Sequence, residues 1–515
     1  LSLWSDYVAA ALVGTARAGL PALSSPTTPL EKLVAQLQGL PPERQLLAAS
    51  ATVALWQQAG VEPLVAGDGL PAEAEAEKES FCSSQATALL TRILQGELPA
   101  LLPEWLRRLR ESHGVLPLRV LPEMLDMAVQ QAYLQDAIVP VLGSRGRWLA
   151  AHNVTWTELL LPETPEAQLE AWQTGSRGVR RALLRQARQA DPQRAWTLLH
   201  ASWSQEAAAE RASFLELFKV GLNSADEPFL ETTLDDRSKV VRGVAAELLS
   251  QLPGSGLMQR MKARLEPLIA LGKGRRLMSA EKLKVTLPTE CDAAMERDGI
   301  DPKPPSGIGE HTWLLLQIIA AVDPAYWCEH WEKTPDELIH LAKDSDEERA
   351  LLEGWARAAI RCRREDWARA LLFRWIEKPW TAVALRQAPY TFIEQEALIR
   401  LVPQADLEDR LIMLSGTAVG MKDEGRLLLT IFQGHKRPWG ADLTTAFIHM
   451  MRSFLKKKVG GYWYWWNALA ELALYADPQL VRESSQGWPE NMSRQSSLDQ
   501  WNSILEFRRT MNEAF

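Results

Sequence analysis

Between Arg237 and Leu252, apolar side chains fall at Val241, Val244, Ala245, Leu248, Leu249 and Leu252. That spacing (i, i+3, i+4, i+7, i+8, i+11) lines one face of an α-helix. Pro253-Gly254 stops the helix, and Ser255 is placed to cap a second one carrying Leu257, Met261, Leu265 and Leu268. The pattern predicts two antiparallel helices joined by a tight turn. Similar units open upstream near Ser176 and Ser204, and starts spaced by roughly 30 residues fall in the range of helical repeats. One such pair cannot bury both of its faces, so neighbouring pairs must stack.

The rest of the chain reads in the same terms. Helices are predicted over 2–13, 29–38, 42–59, 83–96, 98–111 and 117–139. Gly67 to Ser80 carries an alternating acidic run (Glu73, Glu75, Glu77, Glu79) and reads as an exposed loop. Residues 271–306 are punctuated by Gly272, Gly274, Pro288, Gly299, Pro302, Pro304 and Pro305, while Leu283, Val285 and Leu287 alternate with polar residues. A β-hairpin or ordered loop is expected there. Helical pairs resume at Gly309, with Trp313, Trp327, Trp331, Trp355, Trp367, Trp375 and Trp380 along them. The expected fold is all-α: a HEAT-like α-solenoid of stacked antiparallel helix pairs. Its expected parts are an N-terminal helical region (1–160), HEAT-like repeats (161–270), the hairpin insertion (271–306) and a C-terminal repeat region (307–515).

Composition narrows the function. With 46% apolar and 24% charged residues over 515 positions, the chain can bury large cores. A net charge of −8 argues against nucleic-acid binding over the whole surface. No run approaches the roughly 18–20 apolar residues of a membrane helix, and the first residues show no secretory signal. Cys82, Cys291, Cys328 and Cys362 lie far apart with no CxxC pair, so reduced thiols and a cytoplasmic location are expected. Twenty-one tryptophans are unusually many; each is read as a rigid ring locking one helix against the next.

Candidate chemistry is sparse. HExxH, GxSxG and GxxxxGK[ST] are absent from the sequence, and His311, His330 and His340 lack ligand spacing. Gly272-Lys273-Gly274-Arg275-Arg276 lacks phosphate-loop spacing and reads as a turn. No catalytic residue, cofactor site or metal site is expected, and the chain does not read as an enzyme. Arg177, Arg181, Arg185 and Arg188 share one face of a predicted helix. They could clamp phosphates or acidic partner residues, or form a solvated face paired with acidic neighbours. In Gly143-Ser144-Arg145-Gly146-Arg147-Trp148, backbone N–H groups with Arg145 and Arg147 could hold an anion; a structural turn is the alternative. Lys456-Lys457-Lys458 precedes Tyr462-Trp463-Tyr464-Trp465-Trp466, a combination that suits either single-stranded nucleic acid or a buried helix.

Several segments together resemble a bacterial family catalogued only as a domain of unknown function. They are Trp4 with Ala11-Leu12-Val13-Gly14-Thr15 and Arg17; Gly143 to Ala150 with Asn153 and Trp156; Leu234 to Arg242; Leu252-Pro253-Gly254-Ser255; and Pro304-Pro305 with Gly307-Ile308-Gly309-Glu310. By motif the resemblance spans about the first 330 residues, and it is expected to extend over the whole chain. It implies gene neighbours of the MoxR-type AAA+ ATPase, von Willebrand factor A and SWIM zinc-finger kinds, hence an adaptor in a chaperone-like system. It brings no catalytic residues. The leading expectation is a non-enzymatic protein-binding scaffold. The alternative is a HEAT-like nucleic-acid-binding protein, akin to DNA glycosylases of that fold, using the Arg177–Arg188 face together with the basic residues between Lys273 and Lys284.

Overall fold

A computed structural model describes residues 2–23, 25–59, 71–162, 164–272, 281–343, 345–377, 392–417, 424–456, 463–488 and 495–515. The chain divides into two compact units, Leu1–Glu73 and Ala74–Phe515. The helices expected as a single N-terminal region, 1–160, are thus shared between both.

The first unit holds α1 (Ser2–Val13), α2 (Pro29–Ala35) and α3 (Pro42–Ala59). The first and third have the bounds read from the sequence. Thr28 starts α2 with a capping box: its hydroxyl accepts from the Glu31 N–H (3.2 Å), and the Glu31 carboxylate accepts from the Thr28 N–H (2.9 Å). Both α1 and α2 pack on α3, around a small core of Tyr7, Val34, Ala49 and Val53.

In the second unit α4 (Ser84–Leu94) is capped by Ser83, whose hydroxyl accepts from the Ala86 N–H. A 3-10 turn leads into α5 (Leu102–Glu111). The single helix expected over 117–139 is two, α6 (Leu121–Gln130) and α7 (Ala132–Ile138), broken at Gln131 with φ −125° and ψ 88°. Packing explains the break. On one straight helix, Leu134 and Ile138 would point roughly 100° away from Met124, Leu125 and Ala128. All five are buried in one core, so the chain turns.

After α8 (Gly143–Ala151) come α9 (Pro165–Thr174), α10 (Arg177–Ala190), α11 (Pro192–Ser202), α12 (Ala208–Glu216), α13 (Glu227–Thr233), α14 (Lys239–Leu249) and α15 (Gly256–Leu265). The first residues of α10, α12 and α14, which are Arg177, Ala208 and Lys239, are evenly spaced along the chain. The same interval separates buried sets such as Leu183, Phe214 and Ala245, or Leu199, Leu230 and Met261. It also places Arg180, Arg211 and Arg242 at equivalent positions.

The first two of these arginines make the same stitch. The Arg180 guanidinium lies over the Trp172 ring (4.6 Å) and pairs with Glu206. Arg211 lies over Trp203 (5.7 Å) and pairs with Asp236 (2.9 and 3.0 Å). It also donates to the Glu206 carbonyl (2.6 Å). Arg242 extends the series by donating to the Asp236 carbonyl (2.8 Å).

The hairpin falls where the alternation of Leu283 and Val285 placed it. Strands β1 (Ile269–Gly272) and β2 (Lys282–Val285) pair antiparallel, Ile269 opposite Val285 and Gly272 opposite Lys282. Leu283 is buried while Lys282 and Lys284 are exposed. The remaining insertion is ordered by α16 (Ala293–Arg297) and the buried Asp298, which accepts from Arg260 and Arg264 (both 2.7 Å).

Helices then continue as α17 (Glu310–Ala320), α18 (Ala325–Trp331), α19 (Pro335–Ala342), α20 (Glu348–Cys362) and α21 (Glu365–Glu377). A Cβ at Gly354 of α20 would come within 2.7 Å of Ile319 on α17, so these two helices approach as closely as only glycine permits. Trp380 lies outside the described residues. The last helix, Gln495–Ala514, returns to the start of this unit. Phe507, Met511 and Ala514 join the core of α4 to α8. Arg508 donates to Glu104 (2.9 Å) and to the Ala473 carbonyl (2.9 Å), and Ser83 donates to the Ala514 carbonyl (2.8 Å).

Substituting Arg211 by alanine leaves the largely buried Asp236 carboxylate without its cation. It is expected to cost roughly 3 kcal/mol, read as a lower urea midpoint for the transition that includes α12 to α14.

Candidate interaction surfaces

The arginines of α10 do not share one fate. Arg188 is buried. Its guanidinium makes two 2.7 Å bonds to Asp226, donates to the Val220 and Gly221 carbonyls (both 3.0 Å), and sits 4.4 Å above the Phe218 ring. It clamps the turn between α12 and α13. Arg185 is half-buried and reaches Asp136 (3.1 Å); Arg181 meets Ser213, and Arg177 meets Glu210. Each member of the row therefore engages an acceptor of its own chain.

Arg145 and Arg147 are exposed on α8, and no side-chain partner is found for either among the described residues. The backbone N–H groups beside them hold an anion from the same chain. The Glu77 carboxylate accepts from the Ser144 N–H (2.7 Å) and the Arg145 N–H (2.9 Å). This is a carboxylate at a helix N-terminus, favoured by the free donors and the dipole there. Gly143 permits it twice over. Its φ is +66°, and a Cβ would come within 2.5 Å of Glu77. Within the acidic run, Glu73, Glu75 and Glu79 are exposed as expected, while Glu77 is half-buried in this cap.

Two grooves open between α9, α11 and α13. The first, about 600 Å³, is lined by Leu169, Trp172, Thr197, Leu198, Arg180 and Glu206. The buried Trp172 indole N–H has no partner among the described residues. The second, about 300 Å³, is lined by Gln193, Trp196, His200, Asp226, Phe229 and Thr232. The Trp196 and His200 rings stack there at 4.7 Å and 9°. The charged linings are paired, Arg180 with Glu206 and Asp226 with Arg188. What remains is apolar and neutral polar surface, to which the half-buried Trp196 and the exposed Leu169 and His200 contribute most, while Trp172 and Phe229 are buried. Sequence reading missed both grooves and Arg180. The usable signal was the interval from Trp172 to Arg180, which Trp203 and Arg211 repeat one unit later.

Other candidates resolve into packing. Trp465 and Trp466 are buried, and Trp465 meets Phe432 and Phe454 with ring centroids 5.8 Å apart, as a buried helix requires. Lys457, Lys458 and Tyr462 lie outside the described residues, as do 273–280 of the basic segment. A polar cavity of about 80 Å³ between α14, α15, α17 and α20 is lined by Glu247, Asp298, Gln317, Arg357 and Arg361, with Glu247 and Arg361 paired at 2.8 Å. It has room for a few waters. Among the described residues no group of three His, Cys, Asp or Glu could hold a metal ion. The four cysteines are free thiols, and burial pushes Cys362 up to about 12.

His435 and Glu408 form a buried pair (3.3 Å), with the imidazole stacked on Trp439. Burial pulls His435 below its ordinary value, more than Glu408 raises it. Glu104, Glu206 and Asp236 are each pushed up by burial, but their arginines outweigh it and hold them below the ordinary carboxylate range.

These surfaces sit on an all-helical protein with one two-stranded sheet among its described residues. The model of a family of unknown function, DUF5691, matches residues 6–515, and the chain belongs to that family. No curated protein and no solved structure matches it. Among the described residues no helix is long and apolar enough to cross a membrane.

Replacing Glu77 by alanine is expected to cost about 1 kcal/mol, the usual loss of a helix cap, measured by urea unfolding. The pH dependence follows from the depressed groups. When a folded-state pKa lies below the unfolded one, the unfolded chain binds the extra proton, so stability falls as pH falls. Stability is expected to decline first below about pH 6.5 as His435 contributes, then more steeply below about pH 4 through Glu104, Glu206 and Asp236. Melting temperatures across that range check it; a rise on acidification would contradict the assignment.

Proposed function

We propose that this chain is a non-enzymatic protein-binding scaffold, a HEAT-like α-solenoid of stacked helix pairs. On this reading, α9, α11 and α13 form the working face. The observation that carries it is the pair of grooves along α11, one lined by Leu169 and Leu198 and the other by Trp196 and His200, whose charged linings are neutralised from within. A concave apolar surface with neutral edges and a half-buried ring such as Trp196 is the material of protein interfaces, where a few rigid side chains supply most of the affinity. Arg145 and Arg147, exposed and without side-chain partners among the described residues, add a cationic patch suited to acidic residues of a partner. Nucleic-acid binding is less well supported, since the α10 guanidiniums are spent on the chain's own acceptors and the net charge is −8. The partner classes follow from the family resemblance alone: a MoxR-type AAA+ ATPase or a von Willebrand factor A protein, with SWIM zinc-finger proteins encoded nearby, in the cytoplasm.

The test is direct binding of the purified full chain to the MoxR-type and von Willebrand factor A proteins of the same genome, by sedimentation or calorimetry. Trp196→Ala is expected to weaken the complex at least tenfold, about 1.4 kcal/mol, with the fold unchanged by circular dichroism. If neither protein binds, the partner assignment falls. If binding is indifferent to Trp196→Ala and to Leu169→Glu, the groove assignment falls.

A further inference from the structure

The two grooves are one design repeated. Counting on by the interval that relates α10 to α12, Leu169, Thr197, Leu198 and Ala201 of the first become His200, Pro228, Phe229 and Thr232 of the second. The arginine stitches of the two repeats differ, however, at one atom. Arg211 closes on Asp236 through its Nε–H and an Nη–H (2.9 and 3.0 Å). Arg180 commits only its Nη groups, to Glu206 and Ser202, and its buried Nε–H has no acceptor among the described residues. The Trp172 indole N–H is in the same state. That ring is 3% exposed and lies 4.6 Å from the Arg180 guanidinium, and both residues line the first groove. Trp355 and Trp465 also bury an indole N–H without a partner, but both are 0% exposed in the core and line neither groove.

We propose that the first groove receives an extended, uncharged segment of a partner protein, whose main-chain carbonyls accept from Trp172 and Arg180. This rests on the scaffold reading and specifies what the partner brings to that site. A buried donor without an acceptor is unfavourable, and the groove wall does not supply one. The Glu206 carboxylate and the Ser202 hydroxyl already accept from the Arg180 Nη groups. The occupant therefore contributes acceptors. A carboxylate would gain little, because Glu206 has neutralised the guanidinium; a neutral carbonyl suits better.

The backbone of the occupant follows from the same need. An α-helix uses its carbonyls internally except in its last turn, whereas an extended or polyproline-type chain keeps them free. Its apolar side chains would lie on Leu169 and Leu198, and the exposed Gln173 and Gln205 offer amides to its own N–H groups. A trough open along two helices admits a passing chain, while a small molecule is held by enclosure. Neither donor is open to solvent as the groove stands, so the segment has to displace rim side chains, of which Leu169 and Gln173 are exposed.

Two peptides blocked at both ends test this on the full chain: a Pro-Pro-Leu repeat, extended and rich in free carbonyls, and an Ala-Leu helix former. Indole N–H signals are followed by heteronuclear NMR, the Trp172 signal being the one absent from Trp172→Phe. With the extended peptide it is expected to move downfield as the N–H gains an acceptor, with half-saturation below about 1 mM. The helical peptide is expected to leave it in place. Trp172→Phe keeps a ring beneath Arg180 but removes the donor, and is expected to weaken binding about fivefold, the scale of one hydrogen bond. If that variant does not fold, the wild-type signal still decides. A Trp172 signal unmoved at the highest concentration of extended peptide overturns the inference, since the donors then meet water only. An equal shift with the helical peptide overturns it as well. The scaffold reading fails separately, through its own partner proteins and through Trp196→Ala in the neighbouring groove.

Discussion

The repeat block depends on how a guanidinium can be taken out of water. Arg180 and Arg211 are each laid on a tryptophan ring and closed by a carboxylate from further along the chain, Glu206 and Asp236. A charge of this kind would be costly alone; with an aromatic face and a bidentate anion it becomes a directional link. Apolar stripes drive helices together but leave their sliding free, whereas a paired guanidinium fixes register. Because the acid lies beyond the helix that carries the arginine, each link ties that helix to a later segment of the chain. Arg188 with Asp226 applies the same chemistry to a turn.

The two grooves follow from this internal neutralisation. Their walls contain charged side chains, yet those charges already have partners, so the open surface is apolar and neutral polar without a field. The helix N-terminus at Gly143 is likewise satisfied from inside the molecule, by Glu77. A protein that answers its own charges in this way leaves shape and ring surface as what a partner can read. That is why the proposed role rests on the grooves and not on the arginine row.

The helical architecture was legible because its stripes are regular: the bounds of α1 and α3, the cap at Ser176 and the hairpin around Leu283 all followed from periodicity, whereas the helix expected to open at Ser204 starts at Ala208, after a 3-10 turn. Periodicity failed at Gln131, where the hydrophobic run continues but its facing angle shifts, a property of the destination and not of the local pattern. The fates of the four arginines were not legible either. Spacing places Arg177, Arg181, Arg185 and Arg188 in a row, but it cannot say that Asp226 waits beneath Arg188 while Asp136 only flanks Arg185. Glu77 was visible as one of an alternating acidic run. Nothing in that run distinguished it from Glu75 or Glu79, because its role is set by Gly143, which lies several helices downstream. Long-range partners of charged residues are fixed by tertiary placement, which a single sequence encodes only through the packing it produces.

The return of the final helix to α4 and α5 has a bearing on how the chain is made. Phe507, Met511 and Ala514 complete the hydrophobic cluster begun by Ala86 and Leu89, and Arg508 reaches across to Glu104. That cluster cannot close during synthesis until the helix Gln495–Ala514 has emerged from the ribosome, because this helix supplies its final layer. The middle repeats, whose contacts are local, are free to fold early, while the opening segment of this unit waits with apolar surface uncovered. Disruption of the helix Gln495–Ala514 would therefore damage the part of this unit that is translated first.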